Sequence, residues 1–230
     1  MFRMPYRDSR GRTLDDYPRP SVAADTAVLT VVDDALSVLL VRADDAPAVA
    51  PGGEWRLPGT FLHPGETLVD AALRALRDKA GVLGLHPRQL HVFDDPRRDD
   101  RGWVLGVAHY DVVPDLRPPA SGRARIVPVD LLPPLMYDHA AIVAFAVDAL
   151  RSEYRGAPDP AQLLREPFTM RQLRAVHEAV FGRRLLPDTF RRSMLPRLEA
   201  TGEYFGDGRG RPAELYRRAG RVAEWRGTRR

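Results

Sequence analysis

The sequence predicts an α/β chain of two modules, and three observations carry that reading. The first 155 residues interleave strand-like apolar runs with two helical patterns. The last seventy run helix, helix, hairpin, which is the order of a winged helix-turn-helix. Charge divides along the same line: residues 1–160 hold 19 basic against 23 acidic side chains, whereas residues 161–230 hold 16 against 8. A basic module joined to an acidic one suits a polyanion that meets only one end of the chain. Lys79 is the single lysine, so a preference for arginine is general, but that preference does not explain the change of sign.

At 230 residues the chain is long enough for two modules to bury cores of their own. It has no cysteine, which excludes a disulfide framework and a thiolate metal site. No apolar run reaches the ~18 residues of a membrane span, and the first twenty residues lack a signal-peptide pattern. A cytoplasmic protein with no membrane partner is expected.

Residues 1–18 read as an N-terminal extension and 19–155 as the first module. Apolar runs at 26–32 and 37–42 flank the turn-like Asp33-Asp34 and predict a hairpin. Short strand pieces follow at 55–57 and 61–62, around Pro58-Gly59. A helix is predicted over 67–80, with Leu68, Ala72, Leu76 and Ala80 on one face. Strands are expected at 89–93, 103–113 and 125–129, and an alanine- and valine-rich helix at 138–154. Residues 156–160, Gly-Ala-Pro-Asp-Pro, read as a linker with almost nothing to bury, and as the obvious hinge. The second module then occupies 161–230. Thr169-Met-Arg-Gln172 fits a capping box, and Leu173, Val176, His177, Val180 and Phe181 form an apolar face that Gly182 ends. A second helix is expected from a cap at Asp188 to Ala200, ended by Gly202, then a Gly-rich loop at 206–210 and a strand at 213–218.

Residues 57–82 read L-P-G-T-F-L-H-P-G-E-T-L-V-D-A-A-L-R-A-L-R-D-K-A-G-V. This resembles the G-x5-E-x7-R-E-U-x-E-E-x-G-U box of the Nudix hydrolases, where U is a bulky apolar residue. The element order over roughly residues 20–155 resembles the Nudix α/β/α sandwich, and the segments 96–102 and 137–140 look like those of its ADP-ribose-binding branch. Aligned on Glu66, Arg74 and Gly81, the three helical glutamates of the box fall on Ala75, Asp78 and Lys79. Spacing of i, i+3 and i+4 would put them on one helix face. Hydrolysis in that family needs Mg²⁺ between helical carboxylates and a diphosphate. Here one position has no ligand, one is shortened and one is a cation, so no metal site and no catalytic residue are expected. Thr60 replaces a glycine and leaves the turn geometry open, because threonine disfavours positive φ. Glu66 would pair with Arg74 or Arg77, and Asp78 with Arg74.

What remains suits a dinucleotide-like anion. Arg42, Arg56, Arg98 and Arg101 can fork onto phosphates; Trp55, Phe61 or Tyr137 can stack on a base. Gly59, Thr60, Glu66 and His139 complete the candidate ligand site, His139 being equally explicable as a histidine satisfied by backbone. Candidates for DNA contact are Thr169, Arg171, Thr189, Arg191, Arg192, Arg197, Arg209, Arg211, Tyr216 and Arg217.

The segments 168–182, 189–196 and 210–217, the last reading G-R-P-A-E-L-Y-R, resemble the winged helix of Nudix-related transcriptional regulators, the NrtR family. That resemblance implies a homodimeric repressor of NAD-biosynthesis or salvage genes. It would bind a double-stranded operator and respond to ADP-ribose or a related nucleotide, with no other cofactor. Two alternatives stay open: an active Nudix ADP-ribose pyrophosphatase, and a related regulator that senses a sugar phosphate.

Overall fold

A computed structural model describes residues 6–43, 54–118, 122–206 and 212–220. Strands β1 (Ser21–Val32) and β2 (Ala35–Arg42) form the expected hairpin. Asp33 and Asp34 both adopt positive φ, 48° and 60°, the geometry of a two-residue turn that matches strand twist. β3 (Trp55–Arg56) and β4 (Gly59–Phe61) do not pair with each other: β3 extends along β2 and β4 along the first half of β1. Leu57 and Pro58 therefore cross the gap between β1 and β2, pinned where the Pro58 carbonyl accepts the Thr26 N–H at 2.9 Å.

Helix α1 (Leu68–Ala75) opens on a capping box, Thr67 with Asp70, and continues as a π-helical turn over Leu76–Ala80 before Gly81 closes it at φ 65°. Next come β5 (Arg88–Phe93), β6 (Val104–Val112) and β7 (Ala124–Pro128). The seven strands form one mixed sheet in which β6 runs parallel to β1, with β5 outside β6 and β7 outside β2. Side chains alternate as a twice-covered sheet requires. Ala27, Leu29, Val38 and Leu40 face helix α2 (His139–Tyr154), while Val28, Leu39 and Val41 face the π-turn residues Leu76 and Ala80.

The second module consists of β8 (Phe168–Thr169), α3 (Met170–Phe181), α4 (Pro187–Met194), β9 (Leu198–Phe205) and β10 (Ala213–Arg218). The Thr169 cap forms as expected: its hydroxyl accepts the Gln172 N–H at 3.2 Å and its N–H reaches Gln172 Oε1 at 2.8 Å. Helix α4 departs from the sequence expectation at both ends. Its cap position is Leu186, with Pro187 in the first turn rather than Asp188 as cap. It stops at Met194, a 3-10 turn follows at Leu195–Arg197, and residues 198–200 are already strand. Pro196, without an N–H, cannot continue an α-helix. Gly202 ends no helix; at φ 77° it lies in a bulge of β9 opposite the register shift of β10.

The segment 156–160 buries more than its sequence suggests. Asp159 is wholly buried and accepts bonds from the Tyr154 hydroxyl (2.5 Å), the N–H groups of Leu163 (3.0 Å) and Leu164 (2.8 Å), and Arg218 Nη2 (2.5 Å). Tyr154 ends the first module and Arg218 the last strand, so a segment whose sequence shows no anchor is the knot between modules. A shared core reinforces it. Val176 and Val180 of α3 pack in one cluster with Ile142, Val147 and Leu150 of α2, and each such buried side chain contributes about 1.5–3 kcal/mol.

Replacing Asp159 with Ala removes the buried one of Arg218's two carboxylate partners, Glu166 remaining at 2.6 Å, and takes the acceptor from the Tyr154 hydroxyl and two N–H groups; it should cost about 3 kcal/mol in urea unfolding. Wild type should unfold in one cooperative transition; two separated transitions in the wild type would contradict a shared core. His177, buried between Tyr154 and Phe190, has its pKa pushed down to about 4 by burial, against a weaker upward pull from Asp159. The unfolded chain then binds the extra proton. The stability of wild type relative to His177→Leu should accordingly be constant above about pH 6.5 and fall by on the order of 3 kcal/mol toward pH 4. A pH-independent difference would refute the neutral buried imidazole.

Candidate ligand cavity and nucleic-acid face

Where β1 and β2 diverge, a cavity of about 180 Å³ opens between the Leu57-Pro58 crossing, the π-turn and the start of α2. Of the sequence-predicted residues it brings together Arg56, Gly59, Thr60, Phe61, Arg98, Arg101 and His139, with Tyr137 beside them. Asp25, Asp99 and Lys79 also line it, and none of these three belongs to the ligand set expected from sequence. Asp25 sits in the middle of an apolar strand, where neither motif nor periodicity marks it.

Each buried charge in the wall has a fixed partner. Arg98, with a side chain only 3% exposed, donates Nε to Asp138 Oδ2 at 2.8 Å and Nη2 to Asp138 Oδ1 at 2.7 Å, with Asp25 at 3.6 Å. It is a buttress rather than the free phosphate fork that the sequence suggests. It lies flat on β6 because residue 106 is glycine; a Cβ there would strike the guanidinium. Gly59 plays the same part for Asp25, whose carboxylate occupies the place a Cβ would take. His139 Nδ1 accepts the Leu57 N–H at 2.9 Å, so the ring proton sits on Nε2, 3.6 Å from Asp25 Oδ1. Burial lowers the His139 pKa and keeps the ring neutral. This histidine is thus both backbone-satisfied and part of the cavity wall.

The remaining cations are placed differently. Arg56 lines the cavity with its buried Nε lacking any hydrogen-bond partner among the described residues, an arrangement folded proteins ordinarily avoid unless something else satisfies it. Arg101 is held by Asp99 at 2.7 Å and lies over the rings of Phe61 and Tyr137 at 5.2 and 5.0 Å. Lys79 projects from the π-turn and donates Nζ to the Gly59 carbonyl. Tyr137 is set by a positive φ of 56°, unusual for an aromatic residue.

Three other candidates stand elsewhere. Arg42 is exposed and pairs with Glu54 at 3.0 Å. Trp55 packs against the core with Arg125 3.8 Å above its ring. Glu66 forms a bidentate pair with Arg74 (2.7 and 2.9 Å), which brings its pKa down to about 2, chiefly through those hydrogen bonds. The same Arg74 donates to the Thr60 hydroxyl (3.2 Å) and the Phe61 carbonyl (2.9 Å). Thr60 is ordinary extended strand, paired with Ala24, so its position never required glycine.

A divalent metal does not fit these residues. Ala75 is buried, Asp78 is half exposed and held by Arg77 at 2.7 Å instead of Arg74, and Lys79 puts its ammonium in the cavity. The π-turn breaks the regular i, i+3, i+4 face assumed from spacing. No group of three potential ligands occurs among the described residues.

On the second module Arg171, Arg192 and Arg217 are exposed. Arg191 is exposed and donates to the Tyr216 hydroxyl at 3.3 Å, and Arg197 donates to the Gly156 carbonyl. Arg209 and Arg211 lie outside the described residues. Thr169 and Tyr216 are corrected: both are buried, one spent as a helix cap and the other on the core of the three-stranded sheet. Thr189 faces a groove toward α2. Tyr204 and Phe205, exposed at the end of β9, lie outside the DNA-contact set expected from sequence. No helix among the described residues is long and apolar enough to cross a membrane.

Comparison with known proteins follows the same division. Residues 22–146 match the NUDIX domain model and residues 160–218 the NrtR DNA-binding winged helix domain model. The chain is 28% identical over 212 residues to the ADPR responsive transcriptional repressor NtrR of Acinetobacter baylyi, covering 88% of this chain and 83% of that one. It is also 28% identical over 130 residues, 55% of its length, to 73% of an ADP-ribose pyrophosphatase of Methanocaldococcus jannaschii. Among solved structures, Shewanella oneidensis NrtR complexed with a 27mer DNA superposes with a TM-score of 0.66 at 29% identity, over 85% of this chain and 92% of that one. The NUDIX domain of the same protein complexed with ADP ribose superposes at 0.53 and 27% identity, over 61% and 95%.

Proposed function

This chain belongs to the NUDIX family, and on that premise we propose that it is a DNA-binding transcriptional repressor whose Nudix module binds ADP-ribose without cleaving it. The observation that carries the reading is the cavity itself. It presents the Arg56 guanidinium and the Lys79 ammonium beside the Phe61 and Tyr137 rings, while its acids are engaged with Arg98 and Arg101. A diphosphate needs counter-charge, and a nucleoside needs a flat apolar surface. Here the protein's own cations supply what a hydrolase draws from a metal. Turnover needs something more, an activated water at phosphorus, and the helix positions that would organise it are alanine, an arginine-paired aspartate and a lysine. The resemblance to a repressor over most of both chains supports a regulator; the match to a pyrophosphatase is confined to the Nudix part. Regulation of NAD-biosynthesis or salvage genes and a homodimer on a two-fold operator belong to the same proposal.

Calorimetry should detect ADP-ribose binding in EDTA, weakened at least tenfold by Lys79→Met or Arg56→Ala, and incubation with Mg²⁺ or Mn²⁺ should give turnover below ~1 s⁻¹, the low end of ordinary enzymes. Faster hydrolysis would establish the pyrophosphatase instead. On operator DNA, Arg192→Ala and Arg171→Ala should each weaken binding and reduce the log–log salt slope by roughly 0.9 for every phosphate no longer neutralised. Unchanged slopes for both would move the DNA face elsewhere.

A further inference from the structure

A second cavity, larger than the first at about 550 Å³, opens between the end of α2, the end of α3 and the inner side of α4. Four arginines line it, Arg151, Arg155, Arg183 and Arg184, and among the described residues no acidic side chain does. Arg184 is bound to Glu178 (3.2 Å) and Arg151 donates Nε to the Val180 carbonyl (3.0 Å). Arg155 and Arg183 make no ion pair with a described residue, and Arg183 lies 5.9 Å from the Phe181 ring. Below them Phe190 and Met194 give an apolar floor, with the hydroxyls of Thr189 and Ser193 at its side.

The floor also contains His177, which is 1% exposed and whose Nε2 has no partner among the described residues. Tyr154 and Phe190 stand edge-on to its ring at 5.0 and 4.9 Å. A leucine there would pack without the cost of desolvating a polar nitrogen. A cationic rim without acids and an unsatisfied imidazole at its base are two independent signs of a ligand that is anionic and partly apolar.

We propose that this groove is a second ligand site, for a small organic anion whose carboxylate or phosphate is held by Arg155 and Arg183 and whose flat body lies on Phe190 and Met194. Its occupant touches the closing helix of the Nudix module and the inner side of α4 at once. The C-terminal segment 221–230 is itself basic, with four arginines and one glutamate, and does not complement the rim.

The test is calorimetry on the full chain with phenyl phosphate and phenylacetate, using inorganic phosphate and benzyl alcohol to separate head from body. At least one aromatic anion should bind at least tenfold more tightly than either control, and which one binds distinguishes phosphate from carboxylate. Arg155→Glu, at an exposed position, should abolish that binding, and Ser193→Phe should do so by filling the groove. Arg56→Glu in the Nudix cavity should leave it intact. The proposal falls if neither aromatic anion outbinds both controls at millimolar concentration. It falls equally if binding survives Arg155→Glu or is lost in Arg56→Glu. Absence of probe binding together with a reduced salt slope for DNA in Arg155→Glu would make the groove a phosphate-backbone contact instead.

Discussion

Asp159 holds the two modules in one frame. A carboxylate with no exposed surface is tolerable only when its oxygens are satisfied, and the bonds come from both sides: the Tyr154 hydroxyl from the end of the Nudix module, Arg218 from the last strand of the winged module, and two N–H groups from the segment between. Arg218 continues the network to Glu166 at 2.6 Å. With α3 packed into the same apolar cluster as α2, the modules lack the loose tether that would let them move independently. The start of α2 lines the Nudix cavity and its end, at Tyr154, meets the anchor of the winged module.

The Nudix cavity touches that element. His139 begins α2 and lines the cavity; Asp138, one residue before, grips Arg98. Ligand contact with Arg56, Arg101 or Tyr137 therefore acts on groups adjoining the helix whose far end carries Tyr154. This gives a physical route for coupling, a shared helix with its ends in two different sites, without requiring a hinge at residues 156–160. The charge arrangement agrees with a site that holds rather than cuts. Each buried acid near the cavity is committed to an arginine, so the local field favours an anion and offers little to a divalent metal.

Much of this is legible in the sequence because it rests on local rules. The hairpin follows from alternation around Asp33-Asp34, the capping box from Thr169 and Gln172, the cavity-lining Arg56, Gly59 and Phe61 from proximity to the box, and Arg101 from the arginine-rich segment 96–102. What escapes is non-local. Asp25, Asp138 and Arg98 meet only after β1 and β6 pair, and Asp159 reads as a linker residue until Arg218 arrives from 59 positions away. Thr169 and Tyr216 mislead because a polar side chain in a DNA-binding module can be a cap or a core residue as readily as a contact. The π-turn is equally invisible to a 3.6-residue period, and it separates Ala75, Asp78 and Lys79 into three environments.

Coupling between the cavity and the DNA-binding module through α2 and Asp159 is the central claim. Titration of ADP-ribose into the protein, alone and with saturating operator DNA, measures that coupling at equilibrium. A rigid shared helix predicts a change in ADP-ribose affinity of about 5- to 150-fold, equal to the factor by which ADP-ribose changes operator affinity, as linkage demands. An ADP-ribose affinity that operator DNA leaves unchanged would contradict it.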